Sequence, residues 1–383
     1  MVTFGIDQVE SYRSLLDGGR VALLTSISGR NSQNESTISV LHRLCNLTCL
    51  LAPEHGVRGD QGAGILMEDS VDLSTGLPIY SLYTKESKHL TQRVLDAFDI
   101  LVYDIQDVGL RFYTFISSLY NVIEDCAAAG KRLVVLDRPN PLGGTRVEGG
   151  LLQKKFRSFV GCCEIPVRYG LSIGEFANLV NLRENFGCDL HIVPCAGWNR
   201  ESFPHWGKIW QMPSLALATY QQTLLYAGTC LVEGTALSEG RGTSAPFRII
   251  GAPEVDAEKI SGEFNRLELP GVLSTPVYFS PTCSKHCGKI CGGLMLHVTD
   301  EQSLEPVRLG VELLDIFQNL YPEQSQFLPP VAQGQRPFVS LITGCGDFVP
   351  GWDKKEVLDR YEAESQRFGR EKVYYHLYQE KTL

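Results

Sequence analysis

The sequence predicts an α/β protein: a mostly parallel sheet with helices on both faces, joined to a smaller α/β unit. Three observations carry this prediction. Apolar runs with almost no alternation, such as DILVYD at 99–104 and KRLVVLD at 131–137, recur between helical patterns. Strands of that kind are buried on both faces, as in a parallel sheet covered by helices. Strand after strand then ends in polar, loop-forming residues, namely TSISG, PEHG, DIQD and DRPN. Finally, 383 residues exceed one ordinary core, so two domains are expected.

The elements follow in order. Ile6 to Leu16 has apolar residues at helical spacing and is stopped by Gly18-Gly19. Arg20 to Ser26 is a short strand, the polar segment SGRNSQNES follows, and Thr37 to Leu44 is a second helix. The next strand belongs to Thr48–Asp60, TCLLAPEHGVRGD, where an apolar run halts at Pro53 and delivers Glu54, His55 and Arg58 to the strand's carboxyl end. A Gly- and Asp-rich loop continues to about Tyr83. Thr91 to Ala97 is helical, Asp99 to Asp104 a strand, and Tyr113 to Ala129 an amphipathic helix closed by Gly130. Lys131 to Asp137 is the next strand, Ser172 and Glu175 open a helix as a capping box, and Asp189 to Cys195 is another strand. Trp198 to Ser214 reads as an aromatic loop, and Tyr226 to Phe247 is Gly- and Thr-rich with Glu233, Glu239 and Arg241 embedded in it. A boundary falls near Ala257 to Pro270, which divides the chain into residues 1–260 and 261–383. Beyond it come strands at Val272–Phe279 and Leu294–Val298, a helix at Leu304–Leu320, and a charged helix from Lys354.

Composition excludes several function classes. The net charge of −9 argues against a nucleic-acid or anionic-membrane surface. No apolar run approaches the ~20 residues that span a bilayer. The first residues lack the basic and apolar regions of a secretory signal. Twelve scattered cysteines without such a signal suggest reduced thiols in a cytoplasmic protein. Cys283-x3-Cys287-x3-Cys291 lacks the second pair a structural zinc site needs, and no Gly-rich phosphate loop follows the first strand.

In a parallel sheet the strand ends share one edge, where ligands bind. Glu54, Asp104, Asp107, Asp137, Arg138 and Asn140 should therefore converge. Glu54 at a strand end, beside Pro53 and Gly56, suits a partly desolvated general acid, with a turn-holding carboxylate as the rival reading. Asp107 either serves as a second carboxylate or pairs with Arg111. Asp104 fits a capping role better than chemistry, and Glu175 an N3 cap better than a catalyst. Arg138 offers a planar donor fork and Asn140 a donor and an acceptor, against the alternative of a loop ion pair. Glu239-Gly-Arg241-Gly carries both charges on a flexible turn.

With these residues in view, APEHGVRGD, TGLPIYSLY, DIQDVGLRFYTF, VVLDRPNPLGG, VEGGLL, SFVG and GTCLVEGTALSEGRGTSAPF together resemble the exo-β-N-acetylmuramidases of the NamZ type. The resemblance runs in order from about Leu23 to Pro253 and more weakly to the C-terminus. It implies a Rossmann-like catalytic domain and an auxiliary domain with the site in the cleft between them. It also implies release of N-acetylmuramic acid from the non-reducing end of peptidoglycan fragments, with no nucleotide or metal cofactor. Glu54 is the implied catalytic residue, with Asp107 or Glu239 as second carboxylate unless the substrate's own acetamido group attacks. Arg111, Arg138 or Arg241 would meet the lactyl carboxylate, with His55, Arg58, Tyr113 and Asn140 as further binding residues. The family usually carries histidine where this chain has Tyr169, and PSLALA replaces an expected Pro-Ser-Pro-Asn-Met-Pro. Those departures motivate a second reading, a non-catalytic muropeptide-binding or sensing protein.

Overall fold

The structure, a computed structural model, describes residues 1–59, 68–82 and 87–379; Asp60 and Tyr83 of the motifs above lie outside these residues. Seven strands form the main sheet: β1 (Val21–Thr25), β2 (Leu47–Ala52), β3 (Ser70–Val71), β4 (Pro78–Ser81), β5 (Ile100–Asp104), β6 (Arg132–Leu136) and β7 (Asp189–Val193). Their spatial order is β3-β4-β2-β1-β5-β6-β7, with only β3 antiparallel to its neighbour. The chain builds outward from β1 through β2 to β4, then returns to place β5 on the other side of β1. That reversal is the switch point of a doubly wound, Rossmann-like sheet.

The absence of alternation in these strands has a direct cause. Ala22, Leu24, Cys49, Leu51, Leu101 and Tyr103 point to one face, against the helices Thr114–Ala129 and Ile173–Arg183. Val21, Leu23, Leu50, Ala52, Ile100 and Val102 point to the other, against Ile6, Val9, Ile38 and Leu41. With both faces dry, every position has to be apolar. The first helical segment is an α-turn, Gly5–Gln8, continued as the 3₁₀ segment Val9–Leu15 rather than one regular helix. β3 and β4 lie where the sequence suggested only loop. They are short edge strands, and Pro78 opens β4 without an N–H, as a sheet margin allows.

Three antiparallel strands form the second sheet in the order β8-β10-β9: β8 (Ile249–Ala252), β9 (Val272–Phe279) and β10 (Cys291–Val298). β8 lies before the boundary suggested at residue 260, yet pairs with β10. The helices Tyr220–Thr229 and Pro306–Leu320 cross at two glycines. A Cβ on Gly228 would lie 1.8 Å from the Pro306 carbonyl oxygen, and one on Gly310 would lie 2.3 Å from that of Gly228. No larger residue permits this approach.

The C-terminal region returns to the first sheet. Glu364 accepts from Leu151 N at 2.7 Å, and Ser365 donates to the Gly149 carbonyl at 3.0 Å. Tyr378 donates to the buried carboxylate of Asp137 and accepts from Cys195 N at 2.9 Å. All twelve cysteines are free, and Cys283 and Cys287 are the exposed ones.

Tyr378→Phe removes a donor from a buried carboxylate, so we expect a loss of about 1–3 kcal/mol in unfolding free energy. Urea denaturation of the variant beside wild type measures it. An unchanged midpoint would show that the C-terminal segment does not anchor there.

Candidate active site

At the end of β2 the chain makes a tight turn. Gly56 N donates to the Pro53 carbonyl at 3.1 Å, and His55 and Gly56 both adopt left-handed backbone, φ 77° and 76°. This turn sends the Glu54 carboxyl into a cleft of about 880 Å³ between the two sheets. Glu54 is 8% exposed and accepts from Thr114 Oγ1 at 2.6 Å. Thr114 opens the helix Thr114–Ala129, so the carboxyl faces a helix N-terminus, which favours negative charge. Lys88 also lines the cleft; burial pushes its ammonium pKa down, and the charge of Glu54 pulls it back up. The His55 ring lines the cleft and meets Phe115 edge-on at 6.4 Å.

The opposite wall comes from the Gly- and Thr-rich segment and from the loop between β9 and β10. Arg241 donates to Glu233 through Nε at 3.0 Å and Nη2 at 2.6 Å, and lies 3.4 Å from Glu239. Its guanidinium also sits over the Phe247 ring, 4.9 Å from the centroid. Burial raises the Glu233 pKa, Arg241 opposes the rise, and Glu239 adds to it. Lys285 Nζ stands 2.9 Å from Glu239 and donates to the carbonyls of Val232, Thr235 and Leu237 at 2.7–3.0 Å. Two cations and two carboxylates therefore balance on this wall. Gly242 makes the junction possible. Its φ is 79°, and a Cβ there would lie 2.5 Å from Cys283 N.

Phe112, Tyr113, Tyr226 and Phe247 provide aromatic surface, and Ser214, Leu215, Ala216 and Leu217 line one margin. Tyr113 is buried, and burial together with the charges of Asp107 and Glu54 raises the pKa of its phenol.

Of the expected site residues, Glu54, His55, Tyr113, Glu239 and Arg241 line this cleft and the rest do not. Arg58 instead braces its own loop by donating to Asp72 at 2.6 and 3.1 Å. Arg111 is fully buried and donates to four carbonyls, those of Gly150, Ile165, Ile342 and Thr343. Arg138 pairs with Asp104 at 2.5 and 3.0 Å. Asn140 is spent on Leu171 O at 3.0 Å and Leu142 N at 2.9 Å. Asp107 lies behind the wall, accepting from Tyr169 Oη and, at 2.6 Å, from Gly109 N. Burial pushes its carboxyl up to about 6 against those two hydrogen bonds. These five are corrections. For Asp107, Arg111, Arg138 and Asn140 the cause is shared: polar groups converging away from water have to satisfy one another, whereas the half-exposed Arg58 is held by its own loop.

Asp104 and Glu175 take structural roles, as their sequence context suggested. Glu175 caps its helix and pairs with Arg200 at 2.7 Å. Thr114, Lys88, Glu233 and Lys285 were not singled out as site residues. Glu233 shares a segment with Glu239 and Arg241, so its neighbours were a usable signal. Lys285 comes from a loop far along the chain and had none.

Family models described as "Exo-beta-N-acetylmuramidase NamZ, N-terminal" and "C-terminal" match residues 21–221 and 224–378. The chain is 38% identical over 385 residues to the peptidoglycan beta-N-acetylmuramidase NamZ of Bacillus subtilis (strain 168), covering 98% of this chain and 91% of that protein. Two solved DUF1343 family proteins of Bacteroides fragilis NCTC 9343 share the fold. One superposes with a TM-score of 0.90 at 31% identity and covers 99% of both chains. The other gives 0.78 at 29% identity and covers 100% of both.

Asp107 supplies a pH test. Its folded pKa of about 6 lies above the ordinary carboxylate value, so its protonation favours the folded state. That contribution is complete below about pH 4 and is lost as the pH rises through 6. Asp107→Asn stays neutral, so its stability relative to wild type should rise by about 3 kcal/mol at most between pH 4 and pH 8. Melting temperatures of both proteins across that range decide it, and a constant difference would mean that Asp107 does not titrate there.

Proposed function

The chain belongs to the exo-β-N-acetylmuramidase NamZ family, and from that premise we propose that Glu54 is the acid of a glycosidase acting on muramyl-containing saccharides. The enzyme is an exo-acting hydrolase that releases N-acetylmuramic acid from the non-reducing end of peptidoglycan fragments. Glu54 gives its proton to the glycosidic oxygen, the bond from that oxygen to the anomeric carbon breaks, and water supplies the hydroxyl of the released sugar. The observation that carries this reading is the placement of Glu54. It is a nearly buried carboxyl at a strand end, held by Thr114 and aimed into an aromatic-lined cleft.

Glu239 and Glu233 share the cleft with Glu54, whereas Asp107 does not. Glu239 thus takes the place of second carboxylate, held by Lys285 and Arg241. Arg241 is the one arginine of the three expected candidates that reaches the cleft. Its hydrogen bonds to Glu233 use Nε and Nη2, which leaves Nη1 to meet the lactyl carboxylate of a muramyl group. His55 and Tyr113 orient the ring.

The non-catalytic alternative rested on Tyr169 and on Leu215 to Ala218. Tyr169 is buried against Asp107, which does not line the cleft, and Leu215, Ala216 and Leu217 line a cleft that keeps both Glu54 and Glu239. No helix among the described residues is long and apolar enough to cross a membrane. The free cysteines support action in a reducing compartment, on wall fragments taken into the cell.

Glu54→Gln should lower turnover of a muramyl-N-acetylglucosamine disaccharide by about 10²–10⁴-fold, the usual contribution of a general acid. Chromatographic release of N-acetylmuramic acid measures it, and equal rates in variant and wild type would remove Glu54 from the mechanism.

A further inference from the structure

The chain's two exposed cysteines, Cys283 and Cys287, lie on one loop, between β9 and β10, and its other thiols are buried or half-buried. The register of the second sheet brings this pair together. β9 and β10 run antiparallel, from Val272 opposite Val298 to Phe279 opposite Cys291. Carried past the end of the ladder, that register sets Cys283 opposite Cys287, with Ser284, Lys285 and His286 at the tip. Gly288 N donates to the Pro281 carbonyl at 2.8 Å and so closes the loop just outside both thiols. Residues opposed across an antiparallel pair have Cα atoms about 4.5–5.5 Å apart, within the span that a disulfide bridges.

The tip between the thiols belongs to the cleft, which Cys283, Ser284 and Lys285 line. Lys285 Nζ stands 2.9 Å from Glu239 and donates to the carbonyls of Val232, Thr235 and Leu237. His286 Nε2 lies 2.7 Å from the Ala236 carbonyl. Ser284 and His286 hold left-handed backbone, φ 65° and 58°, which a residue with a Cβ adopts reluctantly. The reach of Lys285 and His286 back to residues 232–239 therefore maintains the shape of the loop. Its first arm is pinned. Thr282 donates to the Gly242 carbonyl through both N and Oγ1 at 2.9 Å, and Gly242 packs against Cys283 N. Joining the two sulfurs must thus move residues 284–287, and Lys285 with them.

Resting on the hydrolase reading for its effect on turnover, we propose that Cys283 and Cys287 are a reversible dithiol site, oxidised by low-molecular-weight disulfides, whose closure draws Lys285 away from Glu239 and slows the enzyme. One thiolate attacks the reagent's disulfide, which forms a mixed disulfide and releases one reagent thiol. The second thiolate attacks that mixed disulfide, which joins the two protein sulfurs and releases the other reagent thiol. The protein sulfurs lose two electrons, the reagent's sulfurs gain them, and two protons pass from the protein thiols to the reagent thiols. An exposed disulfide of this kind is readily reduced again, so the free thiols are the working form in a reducing compartment.

The test incubates the full chain with oxidised glutathione and then with dithiothreitol. Peptide mass mapping without reduction should find Cys283 joined to Cys287, the bridged form lacking two hydrogens of the reduced one. The kcat/KM for the muramyl-N-acetylglucosamine disaccharide should fall roughly 10- to 100-fold, the effect of displacing an active-site group, and should return with dithiothreitol. The double variant Cys283→Ser/Cys287→Ser, compared with its own untreated rate, should not respond to oxidised glutathione. No bridge in wild type would overturn the site, and a bridge with unchanged turnover would overturn its control of the cleft. An equal loss in the double variant would trace the effect to another thiol and overturn the proposal. An untreated wild type that cleaves no disaccharide would overturn the hydrolase reading, while the mass mapping still decides the bridge.

Discussion

Asp104 and Arg138 meet at the carboxyl edge of the sheet with side chains 0% and 1% exposed, joined by two hydrogen bonds. The Thr37 hydroxyl and the Arg30 carbonyl complete the group. A switch point gathers strand-end polar residues into a space that water does not reach, and an ion left unpaired there destabilises the fold by about 3–5 kcal/mol. These charges therefore pair with each other. The proposed acid lies two strands away from β5, at the end of β2. There the left-handed turn at His55-Gly56 turns Glu54 toward the cleft, and the N-terminus of the helix Thr114–Ala129 receives it.

The same rule governs Arg111. Its guanidinium joins the Gly150 and Ile165 carbonyls to those of Ile342 and Thr343, which lie 231 and 232 residues from Arg111 along the chain. Ile342 also lines the cleft, so this buried cation helps to set the separation of the two walls. Lys285 acts comparably on the other side, by tying the loop between β9 and β10 to carbonyls of residues 232–237. A cleft lined by segments far apart in the chain needs such cross-links. Without them the acid and the opposing charge cluster would not hold a common geometry.

That cluster is close to electroneutral: Arg241 and Lys285 face Glu233 and Glu239. Such a wall can present donors and acceptors to a sugar without carrying a large field of either sign. An anionic substituent is then met by a local donor fork rather than by overall charge, which fits a chain whose net charge is −9.

Much of the framework was legible in the residues alone. Unalternating apolar runs gave the parallel sheet, because a strand dry on both faces has no polar position. The Ser172–Glu175 capping box and the helix stop at Gly130 were local signals, and local signals survive folding. Glu54 was legible for the same reason: a carboxylate after an apolar strand, followed by His-Gly, is conspicuous within a few residues. The short strands β3, β4 and β8 were not legible, since two to four residues carry too little pattern to separate a strand from a loop. Nor could the sequence say which of Asp107, Arg111, Arg138, Asn140 and Arg241 would face a ligand. All five occupy polar strand-end or loop motifs and look alike in one dimension. Tertiary structure divided them by desolvation: four lie where water is excluded and are bound to internal partners, while Arg241 lines the cleft. Thus composition and periodicity determined the sheet and the strand-end position of Glu54. The second wall, Lys285 included, was decided only when segments from Glu233 to Lys285, far along the chain from Glu54, packed opposite it, because long-range proximity leaves no mark on local sequence.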